Sequence, residues 1–88
     1  MMKLEIISPE KTYFKGEVDS VTLPGVMGPF QILNNHAPLI SLLTKGMLVF
    51  STNGHIKEME ITDGFVEVSN NNITVCIDPI KKKVKQNE

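Results

Sequence analysis

Two asparagine-rich turn signals, Asn53-Gly54 and Asn70-Asn71-Asn72, each stand between short runs of β-forming residues. An Asn-Gly pair between two such runs is the strongest short hairpin signal, because both central residues must take positive φ. Asparagine tolerates that conformation better than most residues. Met47 to Ser51 and Ile56 to Thr62 are therefore read as one hairpin, and Phe65 to Ser69 and Ile73 to Ile77 as a second. Joined at Asp63-Gly64, the two are expected to form a four-stranded meander.

The first half follows the same rhythm. Leu4-Glu5-Ile6 alternates and stops at Ser8-Pro9, and Thr12-Tyr13-Phe14 ends at Gly16. Glu17 to Leu23 reads as a strand in which Val21 and Leu23 share a face. Val18 is out of phase with them, the mark of a bulge. Pro24-Gly25-Val26-Met27-Gly28-Pro29 is a punctuated stretch whose glycines suit tight turns. Phe30 to Leu33 then resumes alternation and runs into Asn34-Asn35-His36-Ala37-Pro38. Leu39 to Lys45 is the one helix candidate, but it is too short to hold a helix, and a turn or strand is expected there. Short strands at this spacing give an all-β chain of two small packed sheets.

At 88 residues, 41% hydrophobic and 22% charged, the chain is sized and composed for one globular domain. No apolar run approaches the ~20 residues of a helical membrane span. The Met1 to Ile7 stretch carries an acid among its apolar residues and no cleavage-site pattern, so it does not read as a signal peptide. Cys76 is the single cysteine, placed among strand residues, so no internal disulfide is expected and a reducing compartment fits.

All nine basic residues are lysines. Arginine is the residue of bidentate phosphate and guanine recognition, so nucleic-acid binding is poorly supported. Residues 1–78 hold five lysines and nine acids, whereas residues 79–88 hold Lys81, Lys82, Lys83 and Lys85 against Glu88. The chain is divided accordingly into a β domain, 1–78, and a lysine-rich tail, 79–88.

A catalytic or metal site finds little material. Metal ligands come at close, patterned spacing, and His36, His55 and Cys76 are spread along the chain. His55 follows the Asn53-Gly54 turn and is expected in solvent. His36 sits at the end of a stretch rich in Pro and Gly, where its ring either bonds the loop backbone or serves a contact surface. The glycines at 25 and 28 lack the lysine and helix start of a phosphate loop. The positive signal is apolar residues in or beside turns: Val26, Met27, Ala37, Pro38, Leu39 and Ile40. Partner contact explains such residues; for Leu39 and Ile40, burial in the core is the expectation.

Ser8-Pro9-Glu10-Lys11, Gly16-Glu17-Val18, Ser20 to Gly25, Gly28, Ile32-Leu33, His36-Ala37-Pro38-Leu39-Ile40 and Gly46 come in a distinctive order, followed by Asp63 to Val68 and Asn72 to Val75. Over residues 3–78 this order resembles the β domain of the epsilon subunit of F-type ATP synthases, most specifically at Asn35-His36-Ala37-Pro38-Leu39. The resemblance implies a flattened β-sandwich of about ten short strands. It also implies a rotor subunit bound to gamma and resting on the c-ring, peripheral to the cytoplasmic face of a bacterial inner membrane, with no catalytic group, cofactor, metal or small-molecule substrate of its own. The c-ring side would be Met27, Gly28, Pro29, Gln31, His36, Ala37, Pro38 and Leu39. Two departures accompany it. The family usually continues into a helical pair that inhibits hydrolysis and in some members binds ATP. With the sequence ending at Glu88, the expectation is a short form without that hairpin. The ring-facing loop commonly carries an acid and then a glycine, and Pro29 and Gln31 stand in those places here. The rival readings are a free-standing β adaptor, which has few aromatics to offer, and a small enzyme pairing His36 with Cys76 or an acid.

Overall fold

The computed structural model describes residues 1–78, in which all regular structure is strand. Nine strands follow in order: β1 (Met2–Ile7), β2 (Thr12–Val18), β3 (Ser20–Gly25), β4 (Gly28–Leu33), β5 (Leu39–Leu43), β6 (Gly46–Thr52), β7 (His55–Ile61), β8 (Gly64–Ser69) and β9 (Asn72–Ile77). The lysine-rich stretch 79–88 lies outside the described residues.

Hydrogen bonding links the strands in the order β2-β1-β9-β8-β5-β3-β6-β7, with β4 on the side of β3. Between β5 and β3 only Gly25 and Leu43 pair. At that seam the surface folds over, so that β2-β1-β9-β8-β5 faces β4-β3-β6-β7. This is the sandwich of two small sheets expected from the strand pattern.

Alternation does the rest. Met2, Leu4 and Ile6 of β1, Val21 and Leu23 of β3, Leu48 and Phe50 of β6, and Ile73, Val75 and Ile77 of β9 are buried between the layers. No polar or charged residue among the described ones is buried with them. Each fully buried aliphatic side chain contributes roughly 1.5–3 kcal/mol. The rings of Phe14 and Phe50 close one side of this core, their centroids 4.5 Å apart and tilted by 47°.

The turns behave as their residues require. Asn53 and Gly54 have φ of 52° and 77°, and Asn70 and Asn71 have 52° and 61°. Both are two-residue hairpin turns with two positive φ values, whose twist matches that of the strands. Leu39–Leu43 is a strand, in line with its length.

Two expectations need correction. The hairpins β6–β7 and β8–β9 do not form a meander: β8 pairs with β5 and β9, while β7 pairs with β6. Asp63-Gly64 carries the chain from one layer to the other. The phase change at Val18 is no bulge within a strand. The chain bends at Asp19, whose N–H bonds Ser51 O at 2.8 Å, and β2 and β3 enter different layers on either side. The bulge lies earlier, between the pairs Ile6–Phe14 and Ile7–Thr12.

Candidate functional site

The β3–β4 hairpin turns through Val26 and Met27, with Gly25 opposite Gly28. Gly28 has a φ of 124°, open to glycine and strained for other residues. Gly25 is needed for space: a Cβ there would come within 2.8 Å of both the Gly28 carbonyl oxygen and the Phe30 ring. The turn is held to β5, since Val26 N–H donates to Leu42 O at 3.1 Å and Thr44 N–H to Pro24 O at 2.8 Å. The result is a braced tip that presents Met27 almost wholly to solvent, 97% exposed.

The Asn34–Pro38 loop lies at the other end of β4. Its turn closes through His36 N–H to Leu33 O at 3.1 Å, with Asn35 at a φ of 65°. The His36 ring places Nδ1 2.7 Å from Ala37 O. A carbonyl oxygen only accepts, so Nδ1 carries the proton. The two sequence readings of this ring are compatible: it bonds the loop backbone, and it stays half-exposed beside the exposed Ala37 and Pro38.

The eight residues singled out from the sequence therefore do not form one contiguous surface. Met27, Gly28 and Pro29 sit at one end of the sandwich, while His36, Ala37 and Pro38 sit at the other. β4, six residues long and beginning at Gly28, runs from the first group toward the second, about 20 Å of extended chain. Gln31 is exposed midway, and Leu39 turns inward and packs against the core.

Ile40, expected in the core with Leu39, is 73% exposed. Successive side chains of a strand point to opposite faces, so β5 cannot bury both. Leu42 follows Ile40 onto the outer face at 64% exposure. The register then aligns Leu42 with Phe65, Phe65 with Cys76, and Cys76 with Ile7. An apolar row thus crosses four strands of the outer face and ends beside Val26. The sequence reading passed over Leu42 and Phe65. The available signal was Leu39-Ile40-Ser41-Leu42-Leu43, apolar on both faces of a short strand.

His55 is exposed after its turn, as expected. Cys76 is half-buried in β9, with its thiol pKa pushed above the ordinary value by burial first, then by the negative charges of Glu67 and Glu5. The thiol is thus held in the less nucleophilic, protonated form. Among the described residues no group of three or more His, Cys, Asp and Glu is placed to hold a metal ion.

The described residues thus form a two-layer sandwich with braced turns and apolar residues presented outward. The same fold occurs in solved ATP synthases. A central-stalk and c-ring structure of the Tetrahymena thermophila mitochondrial enzyme superposes with a TM-score of 0.77 at 19% identity, covering 89% of this chain and 63% of that one. A Euglena gracilis mitochondrial enzyme gives 0.81 at 20%, covering 86% and 49%. The family model "ATP synthase, Delta/Epsilon chain, beta-sandwich domain" matches residues 1–83, and the chain belongs to that family. Among curated relatives, an ATP synthase epsilon chain of Leptospira interrogans is 44% identical over 77 residues, covering 88% of this chain and 61% of that protein. One from Desulfitobacterium hafniense is 43% identical over 75 residues, covering 85% and 57%. The chain thus spans about three-fifths of the length of these relatives.

Proposed function

We propose that the chain is a central-stalk subunit of an F-type ATP synthase, joining gamma to the c-ring so that ion-driven rotation reaches the catalytic head. It supplies no catalytic group, and it is held at the cytoplasmic face of a bacterial inner membrane through the complex. The observation that carries this reading is the match of the whole described sandwich to the family, with relatives named ATP synthase epsilon chain.

The geometry lends support. A connecting part needs two separate contact surfaces on a stiff body. Close-packed interiors deform little, and this one offers an apolar tip at Met27 and a Pro-containing loop at His36–Pro38 on opposite ends. We assign the Met27, Gly28 and Pro29 tip to the c-ring, with Gln31 further along the same strand, and the His36, Ala37 and Pro38 loop to gamma. Pro29 brings no charge to the ring, so contact there rests on the Met27 side chain and not on an acid. The load is substantial: each elementary charge crossing the membrane releases ~2.3 kcal/mol per 100 mV.

An affinity-tagged copy expressed in the source cell tests the reading. Recovery of gamma and c subunits with it is expected, together with loss of coupling between ATP hydrolysis and ion pumping when it is depleted. Recovery of neither, under conditions that keep the ATPase intact, would sink the proposal and leave the free-standing adaptor.

A further inference from the structure

Asn35 and Asn71 are 36 residues apart, and both take the left-handed conformation, at φ of 65° and 61°. Glycine is the unstrained residue at such positions. Asparagine also suits both turns, and here the two side chains are in addition turned toward each other. Asn35 N–H donates to Asn71 Oδ1 at 2.7 Å, and Asn71 Nδ2 donates to Asn35 Oδ1 at 3.2 Å. The two residues thus close a reciprocal clasp between the β4–β5 loop and the β8–β9 turn.

The two sides differ in rigidity. The β8–β9 turn joins paired strands, and Asn71 O accepts a bond from Lys3 N–H of β1 at 2.8 Å. It is a fixed post. The Asn34–Pro38 loop spans from β4, which pairs only with β3, to β5 of the other layer. The clasp lies beside His36 and Pro38, and with Asn70 these residues line one shallow notch.

We infer that Asn71 is a positioning residue: it holds the His36–Pro38 loop in its docking conformation before a partner arrives. The partner is gamma, so the docking half of this inference rests on the function proposed above. When only a fraction of a protein is in the competent conformation, its apparent affinity falls by that fraction, and prior ordering recovers the loss.

Two variants separate the roles of the side chain. Asn71→Gly deletes both clasp bonds and leaves the left-handed turn unstrained. Asn71→Asp keeps the oxygen that accepts from Asn35 N–H and loses only the donor. Amide hydrogen exchange on the free chain and binding to the purified gamma subunit are measured for each. Asn71→Gly is expected to speed exchange at Asn35 and weaken gamma binding, each about five-fold, the net worth of an ordinary hydrogen bond, while lowering the urea midpoint by no more than about 1 M. Asn71→Asp is expected to restore both to within about two-fold. Unchanged Asn35 exchange in Asn71→Gly would overturn the clasp, and faster exchange with unchanged gamma affinity would overturn its positioning role. A wild-type chain that does not bind gamma overturns the docking half and the function reading together, while the exchange comparison still decides the clasp.

Discussion

Gly64 is where the chain changes layer, and replacing it with alanine probes that crossing directly. Gly64 has a φ of 156° and pairs with Ile77 on one side and Leu43 on the other. A Cβ at this position would collide with the Cys76 carbonyl oxygen and lie 3.0 Å from Ile77 Cα. Both are backbone atoms of β9, so no side-chain rotation relieves the clash. A Cβ in the left-handed region costs roughly 1–2 kcal/mol, and overpacking adds roughly 1–3. The sum, about 2–5 kcal/mol, is a large part of the ~5–10 expected for a domain this size. With a urea slope of about 1 kcal/mol/M, the unfolding midpoint should fall by about 2–5 M. The control is Gly54→Ala, at a φ of 77° with nothing within 4 Å of the added Cβ. There only the backbone term applies, about 1–2 kcal/mol. Urea titrations of both variants decide the matter. If Gly64→Ala is no less stable than Gly54→Ala, the close approach of β8 to β9 is misread.

Other consequences follow from the same packing. Leu23→Ala, at a fully buried position of β3, should cost about 3–5 kcal/mol in denaturant unfolding. Met27→Asp should leave stability within about 0.5 kcal/mol yet weaken the c-ring attachment proposed above, read by co-purification at graded salt. Cys76 should react with iodoacetamide more slowly at pH 8 than an unstructured thiol, and Glu67→Gln should narrow the gap by removing a charge that opposes the thiolate. Its pH linkage has a definite sign. A thiol pKa raised in the folded state contributes stability that is present below the unfolded value and lost as pH rises through the folded one.

The local signals were legible because they are local. Asn53-Gly54 and Asn70-Asn71 announce hairpins through the φ values their central residues must take, and two-residue alternation marks β1, β6, β8 and β9 without reference to the rest of the chain. The His36 loop and the Met27 turn were visible as apolar residues set among Pro, Gly and Asn. Their separation was not visible, since nearness in sequence says nothing about which end of a strand a turn occupies. Nor was the clasp, since Asn35 and Asn71 meet only through the fold.

Short strands with hairpin turns are legible in the residue order, and that order also pointed to the family. How the strands are shared between layers emerges only in the fold. β8 leaves its sequence neighbour β7 to pair with β5, and β1 lies parallel to β9, joining the two ends of the domain. Backbone hydrogen bonds are the same for any two strands. What selects the partners is closure of one core, to which every strand contributes a face. For the same reason Leu39–Leu43, apolar on both faces, could not reveal which side it buries until the opposite layer was in place. Ile40 and Leu42 then remained outside, on the exposed face.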